Sequence, residues 1–204
     1  MLAPAITPDG MRGLEHATQA IVVQAPSRRS TRATARTYAR ATATGPWHLV
    51  RHAMPARLGR SGLSSHRHEG DGSTPIGSFG FVYAFGSRPN PGLTALRYRR
   101  MDAASCWAST RANYNRWIEQ LPCHGESLYA SARLAYRYAA VIDFNYRRPV
   151  YGRGSGIFLH VQTARPTQGC ISLAERDLLG VLRRLTPATR IVIGTTPTLR
   201  ARKT

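Results

Sequence analysis

Short apolar runs bounded by glycine and proline recur along most of the chain, and they limit the fold strongly. Each run is rich in β-branched or aromatic residues and too short to be a core helix. They occupy residues 19–23, 47–50, 79–85, 138–144, 155–161 and 190–194. Runs of this kind predict strands, so we expect a mainly β domain that carries two or three helices.

The segment 30–43 alternates alanine with arginine and threonine. In a strand, Ala33, Ala35 and Ala39 would share one face, and Arg32 and Arg36 would share the other. The arginines are also spaced as a basic amphipathic helix requires. Recurring threonine disfavours a helix because of its branched Cβ, so a strand with a solvated basic face is preferred.

Three other segments have helical spacing of their apolar residues, namely 111–121, 127–135 and 172–185. The last of these opens with Ser172 and Glu175, which match the Ser-x-x-Glu pattern of a capping box, and it stops before Pro187. Ser172 is therefore the expected N-cap of a helix.

The chain of 204 residues suits one domain, and no repeat or linker divides it. Residues 1–17 mix Pro, Gly and Ala without periodicity, which predicts a loosely packed N-terminal arm. We expect the folded domain over residues 18–195 and a basic C-terminal tail over residues 196–204.

The charge balance is strongly basic, since Lys+Arg 29 against Asp+Glu 10 leaves +19. Such a surface attracts polyanions, and an arginine bias inherited from a GC-rich genome is the alternative explanation. No apolar run approaches the ~18 residues that span a bilayer. No apolar core follows Arg12, so no secretory signal is visible, and an exported form is expected to be a mature chain, a shortened chain or one with a misplaced start.

The three cysteines are Cys106, Cys123 and Cys170. In an oxidising compartment Cys106 and Cys123 can pair across a short loop, which leaves Cys170 as the odd, free thiol. Two buried reduced thiols at 106 and 123 are the alternative.

A histidine and a cysteine lie close together near the end of the chain. His160 closes an apolar run, and Cys170 follows Gly169 just ahead of the expected helix start. A helix N-terminus and a neighbouring histidine would each lower the pKa of the thiol, as cysteine acyl-transfer chemistry requires. The alternative is a small packed cysteine and a structural histidine.

Two separated motifs resemble the L,D-transpeptidase catalytic domain, the YkuD-type family of bacterial cell-wall enzymes. The first is His160 followed by Thr-Gln-Gly-Cys at residues 167–170, which resembles the family's His and Ser/Thr-His-Gly-Cys signature. The second is Gly-Asp-Gly-Ser-Thr-Pro-Ile-Gly-Ser-Phe at residues 70–79. The resemblance covers about residues 18–195 and implies a β-sandwich or barrel with peripheral helices.

The resemblance also implies roles at named positions. Cys170 would be the nucleophile and His160 its general base, with the carbonyl of Val161 orienting the ring. The backbone amides of Gln168, Gly169 and Cys170 would form the oxyanion hole. In the family, Gln168 is usually a second histidine, and the spacing from His160 to Cys170 is usually longer. Substrate-binding residues are not identified, because Ser172 replaces the Arg or Asn that often contacts substrate.

The implied function is that of a cysteine acyltransferase that forms L,D cross-links between peptidoglycan stem peptides through a thioester on Cys170. The alternatives are an L,D-carboxypeptidase or other cysteine hydrolase, and a non-catalytic basic protein that binds the cell wall. We expect no cofactor, no nucleic-acid partner, a monomer, anionic cell-wall polymers as further partners, and a location outside the cytoplasm in the cell envelope or secreted.

Other candidate sites are weaker. His66 and His68, with Glu69 and Asp71, lie in a Gly-rich loop without further ligand spacing, so no metal site is expected. The aromatic residues of the 107–117 region could line a substrate groove, but core packing is the preferred interpretation for Trp107, Tyr114 and Trp117. The turn at residues 74–77 is expected to be architectural rather than part of the active-site mouth.

Overall fold

The computed structural model describes residues 5–200, which form a mainly β domain, as predicted. The strands in chain order are β1 (Gln19–Ala25), β2 (Arg32–Ala39), β3 (His48–Arg57), β4 (Leu63–Ser64), β5 (Thr74–Pro75), β6 (Gly77–Phe79), β7 (Phe81–Gly86), β8 (Tyr98–Arg100), β9 (Ser105–Ala108), β10 (Arg116–Glu119), β11 (Gly125–Ser127), β12 (Ala139–Ile142), β13 (Phe158–Val161), β14 (Ile171–Leu173) and β15 (Thr189–Thr195).

Ten of these strands form one sheet in the order β6-β15-β1-β2-β3-β14-β13-β12-β7-β8. Strands β6 and β7 lie near opposite ends of this order, yet only Gly80 separates them along the chain. Strands β15 and β7 also contact each other. The sheet must therefore curl until its two ends meet, which agrees with the expected sandwich or barrel.

The two faces of the curled sheet bury different clusters. Leu159 and Ile171 belong to the main core inside the sheet, whereas Phe158 and Cys170 belong to a second cluster on the opposite face. This division follows from the period of two along a strand. A small sheet of order β10-β9-β11 contributes Trp107 to the second cluster, and the side chains of the candidate site lie there.

The described helices are α1 (Leu128–Ala132), α2 (Glu175–Leu182) and α3 (Thr196–Arg200), with a 3-10 turn at Ala135–Arg137. The expected number of helices is confirmed, and α1 lies within the predicted segment 127–135. The helix predicted over 111–121 is wrong, because residues 116–119 form β10. Pairing with β9, which sets Trp117 opposite Trp107, overrides the helical spacing.

The strand predicted over 30–43 exists as β2. Its expected solvated basic face is exposed only at Arg32 and is wrong for the rest of the strand. Arg36 is 8% exposed, and its guanidinium donates to Gln24 Oε1 at 3.4 Å. The N-terminal segment covers this face, since Tyr38 packs with Met11 and Leu14 in a third apolar cluster. The alternating pattern of segment 30–43 did not predict this burial, because the residues that cover the face come from the N-terminal segment.

The terminal segments also differ from expectation. The arm expected to be loosely packed buries Ile6, Met11 and Leu14 over its described part. The predicted tail begins with α3, whose Leu199 is 3% exposed. Residues 1–4 and 201–204 of the expected arm and tail lie outside the described residues. Within residues 5–200, no helix is long and apolar enough to cross a membrane.

Candidate active site

Parallel pairing of β13 with β14 brings the two predicted site residues to one end of the sheet. Leu159 is in register with Ile171, and His160 is in register with Ser172. Cys170 immediately precedes β14, and its sulfur accepts a hydrogen bond from the Phe158 N–H at 3.3 Å. Cys170 and His160 line the same cavity, so the structure brings the pair together.

The His160 ring is fixed by its own strand. Its Nδ1 lies 2.8 Å from the carbonyl oxygen of Val161, as the family resemblance implied. A carbonyl only accepts, so Nδ1 carries the proton and Nε2 holds the free lone pair. Tyr136 packs edge-on against the ring at 5.4 Å between centroids. Burial lowers the pKa of His160 to about 4, so the imidazole is neutral at pH 7.

The Cys170 thiol is buried and protonated at neutral pH. Burial raises its pKa to about 12; the Phe158 N–H and the charge of Arg67 act against this shift, and the charge of Glu126 adds to it. The thiol donates to the Gly156 carbonyl at 3.3 Å. Among the hydrogen bonds of the described residues there is none between Cys170 and His160. The resting pair is therefore a neutral thiol and a neutral imidazole.

The capping box that was expected to activate the thiol is not formed. Ser172 lies in β14 and is fully buried, and α2 begins later, at Glu175, with Ala174 as its N-cap. Pairing of residues 171–173 with β13 and β3 overrides the local Ser-x-x-Glu signal. The prediction that a helix start lowers the Cys170 pKa is therefore wrong, and burial dominates instead.

The turn before Cys170 is held by Thr167. Its hydroxyl donates to the Cys170 carbonyl at 2.6 Å and accepts from the Gly169 N–H at 3.1 Å. The Gly169 amide, expected in the oxyanion hole, is thus engaged in the resting state. Among the described residues, the N–H groups of Gln168 and Cys170 have no hydrogen-bond acceptor.

Gln168 lies at the cavity with its side chain turned to a neighbouring loop. Its Oε1 accepts from Arg60 Nε at 2.9 Å, and Arg60 Nη2 donates to the Gly70 carbonyl at 3.1 Å. The amide therefore links the cysteine turn to the segment 70–79. It cannot replace the imidazole of a second histidine as a proton carrier.

The segment 70–79 is both architectural and adjacent to the site. Gly59 N–H donates to Thr74 Oγ1 at 2.8 Å, which supports the architectural prediction. A Cβ on Gly169 would lie 2.7 Å from the Ser73 carbonyl oxygen, and Gly169 has φ +133. Only glycine fits there, so the segment packs directly against the cysteine turn.

The shared cavity has a volume of about 540 Å³ and includes residues that the sequence did not single out for it. Among them are Arg67, Glu126 and Tyr136. Trp107 is 2% exposed and packs on Phe158, as the core interpretation predicted, and it also borders the cavity. Arg67 lies just before the 70–79 motif, so the sequence could have suggested it as a site residue. No motif surrounds Glu126, so the sequence could not have suggested that residue.

Glu126 and Tyr136 form a polar pair on the wall of the cavity. The Tyr136 hydroxyl donates to Glu126 Oε1 at 2.9 Å. Burial raises the pKa of Glu126, and the Tyr136 hydrogen bond opposes that shift. The Glu126 charge acts on the Cys170 thiol, and Tyr136 contacts the His160 ring, so the pair joins one carboxyl group to the site in a strongly basic protein.

Cys106 and Cys123 are joined by a disulfide, and Cys170 is free. In the described part of the chain, no three His, Cys, Asp or Glu side chains are grouped closely enough to hold a metal ion. Glu69 and Asp71, which lie beside His66 and His68 in the sequence, accept hydrogen bonds from other residues. Glu69 accepts from Tyr114 and Ser155, and Asp71 accepts from Ser73.

The curled sheet carries a cavity that is lined by both Cys170 and His160. The family model of the L,D-transpeptidase catalytic domain (YkuD) matches residues 19–193, so the chain belongs to this family.

Comparison with solved structures finds L,D-transpeptidase 1 of Mycobacterium tuberculosis (TM-score 0.41, 17% identity, 87% of this chain and 62% of that chain). It also finds an L,D-transpeptidase from Mycobacterium smegmatis (TM-score 0.37, 12% identity, 88% and 59%). The chain thus spans about three-fifths of the length of each. A search of curated proteins returned no match.

Proposed function

We propose that the protein is a cysteine acyltransferase that forms L,D cross-links between peptidoglycan stem peptides. The observation that carries the proposal is a free thiol and a ring-oriented neutral imidazole lining one cavity, in a domain of the L,D-transpeptidase family. Cell-wall stem peptides are the substrates that this family membership favours.

In the first half-reaction, Cys170 Sγ attacks the carbonyl carbon of an L-configured diamino residue whose amide leads to a terminal D-residue. The S–C bond forms and the amide C–N bond breaks. The thiol proton passes to His160 Nε2 and then to the departing nitrogen, which leaves a thioester. The unengaged N–H groups of Gln168 and Cys170 are the proposed oxyanion donors.

In the second half-reaction, a primary amine of another stem attacks the thioester carbon. His160 Nε2 takes a proton from that amine and returns it to sulfur, so the thiol is regenerated and a new amide is formed. Water in place of the amine would give an L,D-carboxypeptidase. No cofactor takes part in either step.

The resting protonation states favour proton transfer during attack over a preformed ion pair. With the Cys170 pKa raised to about 12 and the His160 pKa lowered to about 4, an ion pair is strongly disfavoured before substrate binds. Substrate must therefore bring its carbonyl to sulfur while His160 accepts the proton.

The test is incubation with defined tetrapeptide stems, with and without an amine acceptor, followed by mass spectrometry of the products. We expect cross-linked dimers from the wild type and none from Cys170→Ala or His160→Gln. Hydrolysed stems without dimers would favour the hydrolase alternative. Salt-dependent binding to anionic polymers that Cys170→Ala leaves unchanged, together with no product at all, would favour a binding protein.

Acylation by a β-lactam provides a second test of the nucleophile. A carbapenem should add one equivalent to the intact mass of the wild type and nothing to Cys170→Ala. An unchanged wild-type mass would count heavily against a reactive Cys170.

We also propose that the protein acts outside the cytoplasm, in the cell envelope or secreted. The Cys106–Cys123 disulfide supports an oxidising compartment. The net charge of +19 suits attraction to anionic cell-wall polymers.

A further inference from the structure

Arg67 is a buried cation with unused hydrogen-bonding capacity. Its side chain is 3% exposed. Its Nε and Nη1 are buried and have no hydrogen-bond partner among the described residues. A guanidinium carries five N–H donors, and leaving such donors buried without an acceptor costs stability. The Phe144 ring lies 5.5 Å from Arg67 Cζ, a contact that accepts no N–H hydrogen bond in the guanidinium plane. A buried donor group left without an acceptor calls for an explanation, such as a bound anion.

Asp71 does not satisfy this capacity. Arg67 Nε lies 3.5 Å from Asp71 Oδ1, an ion pair without a hydrogen bond. The carboxylate oxygens of Asp71 are already engaged, because Oδ1 accepts from the Ser73 N–H and Oδ2 accepts from the Ser73 hydroxyl and the His68 N–H. Asp71 therefore anchors the loop around Arg67 and leaves Nε and Nη1 without a hydrogen-bond acceptor.

The surroundings of Arg67 place its guanidinium beside the reacting groups. It lines the cavity that also contains Cys170 and His160. A Cβ on Gly169 would lie 3.0 Å from Arg67 Nη1, and a Cβ on Gly154 would lie 2.9 Å from its Nε. The two glycines leave the space that the guanidinium occupies next to the cysteine turn.

We propose that Arg67 forms an anion subsite that binds a substrate carboxylate next to Cys170. The planar fork of a guanidinium matches a carboxylate in geometry, and a buried site strengthens the charge-assisted hydrogen bonds. The other charged side chains that line the cavity, Glu69 and Glu126, are acidic, so Arg67 is the group there that attracts an anion.

The carboxylate in question is that of the terminal D-residue that leaves when the thioester forms. This assignment rests on the proposed function. The scissile amide nitrogen and the terminal carboxylate are separated by one Cα, so an arginine beside the sulfur is well placed to select stems that end at that residue. A stem whose terminal carboxylate is amidated would lose the interaction.

The first experiment does not require turnover. Cys170 is alkylated with neutral iodoacetamide at pH 8.5 in the presence of N-acetyl-D-alanine or its primary amide, and protection is measured by mass. We expect the acid to protect with an apparent Kd about tenfold lower than the amide, as one charge-assisted hydrogen-bonded pair allows. Equal protection by the acid and the amide in the wild type would overturn the proposal, and this comparison needs no variant.

Variants then test whether Arg67 is responsible for the preference for the acid over the amide. Arg67→Gln should abolish the preference for the acid, and Arg67→Lys should retain only part of it because a point charge lacks the fork. Arg29→Gln removes the same charge from an exposed position and should keep the full preference. A full preference retained in folded Arg67→Gln would contradict the assignment.

A parallel experiment separates this inference from the proposed function. The kcat/KM for a tetrapeptide stem with a free terminal carboxylate should exceed that of its amide at least about tenfold in the wild type. If no stem reacts while N-acetyl-D-alanine still protects selectively, the anion subsite stands and the proposed function fails. If both stems react equally well, the proposed function stands and the subsite is refuted.

Discussion

At the level of single residues, the candidate site combines a thiol and an imidazole that are both held neutral by burial. The Cys170 thiol is bonded to main-chain groups of Gly156 and Phe158, and the His160 ring is bonded to Val161. Each group is thus positioned by β13 or the residues just before it. In the proposed reaction, reactivity therefore comes from substrate binding, because the resting charges do not supply it.

The first prediction concerns the titration of Cys170. With its pKa raised to about 12 by burial, alkylation by iodoacetamide at pH 7.5 should be at least about a hundredfold slower than for a free thiol. The rate should still be rising at pH 10. His160→Gln should leave this profile unchanged within about threefold, because no resting ion pair exists to be lost. A midpoint below 8.5, or one that rises in His160→Gln, would instead reveal a thiolate–imidazolium pair.

The second prediction concerns Glu126, whose negative charge raises the pKa of Cys170. Glu126→Gln should lower that pKa and speed alkylation at pH 9 by about two- to fivefold. Asp9→Asn, the same change at an exposed position, should have no effect. Slower or unchanged alkylation in Glu126→Gln would show that this carboxyl does not act on the thiol.

At the level of elements, the site depends on how the cysteine turn packs against segment 70–79. Gly169 has φ +133, and a side chain there would collide with the Ser73 carbonyl. Gly152 has φ +80 with open space around its Cβ position, so it provides a matched control. Both glycines have a positive φ that disfavours other residues, and Gly169 has in addition the collision and a φ further from the left-handed helical region.

The third prediction follows from this contrast. Gly169→Ala should destabilise the protein by about 1–3 kcal/mol more than Gly152→Ala, because the collision with Ser73 and the less accessible φ of Gly169 add to the cost of a positive φ. Urea denaturation of the two variants and the wild type measures the difference. Equal losses would mean that the turn and segment 70–79 can separate at little cost.

Much of the β architecture could be predicted from sequence, because strands such as β1, β13 and β15 are short apolar runs with clear turn signals. The wrong helix predictions, at Ser172 and over residues 111–121, have a common cause. Ser172 and residues 116–119 have helical local patterns, yet pairing with strands distant in sequence decides their conformation. Cys170 and His160 could be found from motif and spacing. Glu126 could not, since its position beside the thiol depends on a sheet formed elsewhere in the chain.

At the level of the whole molecule, a disulfide supports the wall of the cavity. Cys106 lies in β9 next to Trp107, and Cys123 lies shortly before Glu126 in β11. Both Trp107 and Glu126 line the cavity. The covalent link therefore holds together the small sheet that covers the second cluster.

The fourth prediction is that replacing both half-cystines by alanine costs about 3 kcal/mol, as expected for a loop of 17 residues. The rate of the proposed cross-linking reaction should fall as well, because the cavity wall loosens. Urea denaturation in a Cys170→Ala background measures the stability without interference from the free thiol. An unchanged midpoint would show that the small sheet is held by packing alone.

The burial of Cys170 has a consequence for the redox chemistry of the chain. A free thiol and a disulfide in one molecule can exchange, and the rate depends on the thiolate fraction and on access. Cys170 is 6% exposed and has a pKa of about 12, so it attacks the Cys106–Cys123 bond slowly. The same burial slows its oxidation to sulfenic acid. The fold can therefore keep one reduced sulfur ready for chemistry under conditions that hold its other two sulfurs oxidised.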